Sequence, residues 1–273
     1  MRFALLAIGI FVLSMAAGVA PLYMHGRIKA ATMQRITGVS SGLLLASALL
    51  IIVPEGFHVI EQVEEGSGWF TDRTQFLVAM ILVGFIAMLV LEGLGVGHSI
   101  HEEHHDHSEE HGHGHLHHPE STAAIGIGLT VHAAADGLAI GSSSASDEVG
   151  LTALVALAVI LHKAPAAFSL GAFLSHTPQN RSRTLRNIGL FALATPVFML
   201  VSRAVLGGAD ALLAGSLLFS AGTFLYVATV DTLPRLHSPE SGRSAAADVI
   251  VGAMTFAGIL LLFESFGWIE HVH

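Results

Sequence analysis

Long continuous apolar runs dominate the chain. Eight stand out, at about 3–24, 36–60, 74–97, 121–146, 149–175, 187–207, 209–233 and 246–268. Each approaches or exceeds the ~20 residues that a helix needs to cross a bilayer. Unbroken runs predict helices, whereas membrane strands would alternate apolar and polar positions. The first run reads as a span and not as a leader, because Pro21 follows its small-residue end at once and the run outlasts a leader's apolar core. The pattern predicts an all-α polytopic membrane protein with eight transmembrane helices. Spans 1–3 fall in 1–97, a polar loop in 98–120, the central spans 4–5 in 121–175 and spans 6–8 in 176–273.

Composition narrows the class. Apolar residues make up 52% and charged ones 12%, about half the ~25% charge of a soluble domain. With no cysteine, thiolate zinc sites and disulfides are excluded. The net charge of −9 argues against nucleic acid as a partner. No phosphate-binding loop is written in the chain, so ATP-driven pumping is not expected, and neither is a prosthetic group or an enzyme activity.

Charge also orients the spans. Eight spans put both termini on one side. The loops on the other side hold Arg27, Lys29, Arg35, Arg181, Arg183, Arg186, Arg235 and Arg243, against Arg2, Arg73 and Arg203 on the side of the termini. The positive-inside rule then predicts a cytoplasmic loop at 98–120 and termini on the opposite face.

Two offsets reveal internal repeats. Shifting by 30 residues lays His132 on His162, Ala134 on Ala164 and Gly141 on Gly171, pairing span 4 with span 5. Shifting by 180 lays Gly42 on Gly222, Leu45 on Leu225, Ala48 on Ala228 and Pro54 on Pro234, pairing span 2 with span 7. Nested pairs of this kind predict a 3+2+3 inverted repeat, a transporter signature with the ion site near the midplane.

Few ionisable groups lie inside the runs: Glu55, Glu92, His132, Asp136, His162, Lys163, Asp231 and Glu264. Charges at bilayer depth are costly and normally face a partner or water. His132 and Asp136 are four residues apart, on one helical face. His162 occupies the repeat-related place on the paired span and can close the site from the other side. Two nitrogens and one oxygen with open positions suit a divalent ion that must bind and leave. The alternative for each histidine alone is a helix–helix hydrogen bond. Glu55 and His58 on span 2 and Asp231 on span 7 are candidate path residues or additional ligands. Lys163 reads as a tethered cation that neutralises Asp136 or Glu55 when no metal is bound. Pro54, Pro165 and Pro234 interrupt backbone bonding beside these groups. Gly38-x-x-x-Gly42, Gly93-x-x-x-Gly97 and Gly137-x-x-x-Gly141 predict close helix approaches.

The polar loop is rich in imidazole. Its candidate metal-binding residues are His101, His104, His105, His107, His111, His113, His115, His117 and His118, interleaved with five acids and no lysine or arginine. Such a segment builds no core and binds zinc through shifting ligand sets, as a buffer or sensor at the exit. His101-Glu102-Glu103-His104-His105 matches the zinc-protease pattern, but a His/Glu-rich run produces that match by chance.

Taken together, the motifs resemble the ZIP (Zrt-/Irt-like) family of divalent-metal transporters along all eight spans. They are V-H-A-A-A-D-G-L-A-I-G from Val131 to Gly141, L-H-K-A-P-A-A-F from Leu161 to Phe168, and S-A-G-T-F-L-Y-V-A-T-V from Ser220 to Val230. The H-K-A-P of span 5 is similar to the branch that includes a Golgi-associated animal zinc transporter. The resemblance implies secondary or facilitated transport of Zn²⁺, or of Cd²⁺, Fe²⁺ or Mn²⁺, into the cytoplasm. It also implies elevator-like alternating access, a homodimer, and a plasma, bacterial inner or Golgi-type membrane. Many members carry Asn where Ala133 stands, carboxylates where Lys163 and Arg235 stand, and a last ligand where Ala166 stands. The departures imply a mainly mononuclear site, with Lys163 an internal cation in place of a second metal. A membrane metal sensor without net transport is the alternative, and an intramembrane metalloenzyme with Glu55 as base is a third reading.

Overall fold

The computed structural model describes residues 2–24, 29–61, 72–94, 122–144, 149–176, 180–206, 210–236 and 242–266. The loop histidines named above fall outside them, as does the side chain of Asp231. The described residues are helical and contain no strand. In chain order they form α1 (Arg2–Tyr23), α2 (Ala30–Ser47), a π-helical turn (Ala48–Ile52), α3 (Val53–Glu61), α4 (Arg73–Gly93), α5 (Thr122–Ser143), α6 (Val149–His176), α7 (Arg181–Leu206), α8 (Asp210–Leu236) and α9 (Gly242–Ser265). Since α2, the π turn and α3 are continuous, these make eight rods. On their described residues alone, seven are long and apolar enough to cross a membrane. The eighth, α5, is likewise a mostly apolar helix, 22 residues long.

Inside a bilayer every backbone group must be satisfied within the protein, so unbroken helices are the available solution. Several hydroxyls in the spans turn back onto their own helices. Ser14 donates to the Ile10 carbonyl at 2.7 Å, Ser47 to Leu44 at 2.8 Å and Thr223 to Ser220 at 2.8 Å. The one irregular turn has a local cause. Pro54 lacks an N–H, and its ring crowds the carbonyl of Leu50. The helix widens into the π turn just before it. By contrast, α6 continues through Pro165.

The rods sort into two sets. In one, α5 packs on α7 and α1 packs on both α6 and α7; in the other, α2 packs on α9, α4 on α8, and both α2 and α3 on α8. The sets meet where α5 crosses α8 and α2 crosses α6. Backbone notches lie inside the sets. A Cβ at Gly42 would strike the Val249 carbonyl, one at Gly252 the Val39 carbonyl, one at Gly84 the Phe219 carbonyl and one at Gly222 the Ile81 carbonyl. In the other set, Gly137 faces the Thr195 carbonyl and Gly171 that of Gly18. Gly93 departs from that expectation: among the described residues nothing lies within 4 Å of the place its Cβ would take, and Gly97 lies outside them. The outer faces of α4 and α9 are apolar and exposed, with Val78, Leu82, Ile86, Ile250 and Met254 among them.

These notches make a direct prediction. Gly84→Ala should lower stability by about 1–3 kcal/mol, because the facing atom is backbone and cannot move aside. Gly93→Ala, in open space, should leave stability unchanged or slightly raised through helix propensity. Melting midpoints of the two variants in detergent would separate them.

Candidate metal centre

Two helices bring the predicted ligands together. His132 and Asp136 stand one turn apart on α5, and α6 packs beside them to deliver His162 and Lys163. All four side chains are at most 1% exposed. Single ligand atoms from His132, Asp136 and His162 all lie within 4.8 Å of one another. The Nε2 atoms of His132 and His162 are 3.7 Å and 3.4 Å from Asp136 Oδ1.

Hydrogen bonding shows which atoms are left over. The His162 Nδ1 is 2.9 Å from the Ala158 carbonyl. A carbonyl only accepts, so Nδ1 carries a proton and Nε2 is the ring atom turned to the cluster. Lys163 Nζ donates to Asp136 Oδ2 at 2.8 Å. The other carboxylate oxygen, Oδ1, has no hydrogen-bond partner, nor has His162 Nε2, nor either nitrogen of His132. Unpaired buried polar atoms are rare and costly. Here three of them converge from two helices, and two imidazole nitrogens with one carboxylate oxygen are a donor set that divalent transition metals accept.

Neighbouring helices hold the ligands in place. Thr195 on α7 donates to the Ala133 carbonyl at 2.8 Å, and Ser202 reaches the carbonyl of Leu138 at 3.3 Å, pinning α5 around its ligand turn. Across the boundary between the sets, the Phe224 ring of α8 lies 5.0 Å from the His132 ring and 4.8 Å from the His162 ring. The Phe191 ring of α7 lies 4.2 Å from Lys163 Nζ. Nothing in the sequence singled out Phe191. Phe224 lies within the quoted motif of span 7, but no role was read from it.

The remaining candidates lie on α3 and α8. Glu55 and His58 lie on α3. His58 Nε2 is buried without a hydrogen-bond partner. Asp231 is on α8, with its side chain outside the described part. Between Asp136 and Glu55, the structure pairs Lys163 with Asp136. Away from the cluster, Tyr226 on α8 donates to Glu92 on α4 and stacks edge-on against Phe85.

Known proteins share this pattern. Residues 95–263 match the profile of a family described as ZIP Zinc transporter. The zinc transporter ZIP9 of Micropogonias undulatus is 34% identical over 89% of this chain and 87% of its own length. ZIP9 of Xenopus tropicalis is 31% identical over 88% of each. The zinc transporter ZIP2 of Homo sapiens is 35% identical over 50% of this chain and 45% of its own. A profile match across more than half of the sequence, with relatives of this similarity along nearly all of it, means that the chain belongs to the ZIP zinc transporter family.

Proposed function

We propose that this integral, multi-pass membrane protein carries Zn²⁺ across the membrane as substrate, through one intramembrane position formed by His132, Asp136 and His162. The observation that carries the reading is the convergence of three unpartnered ligand atoms in a buried region shared by α5 and α6. Other divalent ions, Cd²⁺, Fe²⁺ and Mn²⁺ among them, fit the same donors. Lys163 takes up the second oxygen of Asp136, so one resident cation stands where a second metal would otherwise sit.

Several features support movement of one helix set against the other, elevator-like. Exchanging spans 1–3 with 6–8 and span 4 with 5 turns α5–α7 into α6–α1, α2–α9 into α8–α4 and α5–α8 into α6–α2, all of which are observed pairs. That correspondence favours the 3+2+3 inverted repeat. The backbone notches named above fall inside one set or the other, while Phe224 meets the ligand rings across the boundary by side chain alone. Such a boundary resists sliding less than interlocked backbones do. All three ligands ride on the α1/α5/α6/α7 set. The asymmetry of basic residues favours a cytoplasmic loop at 98–120, as a metal buffer there, while transport toward the cytoplasm rests on family resemblance. Glu55, His58 and Asp231 are proposed as path residues. The homodimer rests on family resemblance.

Purified protein in liposomes tests the reading. Radiolabelled zinc should accumulate inside, saturably and without ATP, in proportion to protein. Binding with no accumulation would instead make the protein a sensor.

A further inference from the structure

We infer that Phe191 is a positioning residue of the metal site, acting through Lys163. The inference rests on the single-position reading above and goes beyond it. A buried ammonium has three donors. One is spent on Asp136 Oδ2 at 2.8 Å. Phe191 sits 4.2 Å from the nitrogen, with its ring fully buried in a cluster with Ala133, Ala167, Leu170 and Ile188. The electron-rich face of that ring attracts the cation, more strongly where water is excluded.

Position matters because Asp136 has two oxygens and the site needs one. With the ammonium on Oδ2, Oδ1 remains turned to both imidazoles. An ammonium free to swing to Oδ1 would occupy the place of the metal. A divalent ion arriving at Oδ1 also repels the ammonium, and the ring holds it back on the far side of the carboxylate. Phe191 is thus a seat that lets a resident cation and a travelling one share a single aspartate. It stands on α7, which also fixes α5 through Thr195. One helix therefore sets both the ligand turn and the ammonium.

The test separates ring electronics from packing. Fluorinated phenylalanines at position 191 keep the shape and weaken the quadrupole. In vesicle uptake, KM for Zn²⁺ should rise stepwise with fluorination, to about tenfold for Phe191→Leu, while the maximal rate changes less. Phe191→Tyr should restore the parent KM. In a Lys163→Met background, fluorination should have no effect. Equal effects in both backgrounds, or none with Lys163 present, would overturn the inference. Asp136→Asn serves as the control. If it binds and transports zinc with the parent KM, the site reading itself falls; if it fails while fluorination is silent, only the role of Phe191 falls.

Discussion

His132→Ala is expected to abolish zinc uptake at limiting metal while leaving the protein folded. The hydrogen-bond pattern makes the substitution clean. Among the described residues neither ring nitrogen has a hydrogen-bond partner, so truncation orphans no donor or acceptor there. What remains is loss of packing against Phe224, a cost in stability but not in charge balance. The metal loses one of three protein ligands, which should weaken binding beyond the ~10–100-fold that follows removal of a partner behind a ligand. Calorimetric zinc binding and uptake, read beside the melting midpoint, check the expectation. Unchanged uptake at both limiting and saturating zinc would remove His132 from the site. His162→Ala also breaks the Nδ1 bond to Ala158, so its stability loss should be larger.

Lys163→Glu should raise the zinc bound at the cluster from one ion toward two. In the parent, the ammonium and Asp136 form a buried ion pair, both fully shielded. Removing one member of such a pair costs about 3–5 kcal/mol, because the other is stranded. The variant goes further, setting two carboxylates side by side where water is scarce. A second divalent ion relieves that repulsion and gains an anionic ligand. Bound zinc per protomer after dialysis, compared with the parent so that the loop contribution cancels, should therefore increase. Zinc should also stabilise the variant against heat more than it does the parent. An unchanged difference would leave Lys163 with a purely structural role.

Much of the fold and part of the site were legible because a bilayer makes polarity conspicuous. Charged and imidazole groups in apolar runs stand out, so His132, Asp136 and His162 are legible from spacing and offset and Lys163 from its charge, and the structure gathers the four. Pro54 announced a backbone fault, and a π turn lies beside it. The two phenylalanines escaped notice because a ring among leucines and alanines gives no contrast. Only folding showed that one faces an ammonium and the other two imidazoles. The glycine spacings show the converse. Gly93 and Gly137 begin the same four-residue pattern, yet one points into open space and the other onto the Thr195 carbonyl. Spacing identifies a face without saying whether a neighbour covers it.

The Lys163–Asp136 pair also bears on energetics across the membrane. In the proposed carrier the ammonium and the carboxylate of the metal-free cluster cancel, and zinc aboard adds two positive charges. Transmembrane voltage then acts on the loaded passage and spares the empty return. At about 2.3 kcal/mol per charge for each 100 mV, a cell interior held negative would draw the loaded set inward with roughly 4.6 kcal/mol at that potential. Such a carrier would be electrogenic, its loaded step sensitive to the membrane potential.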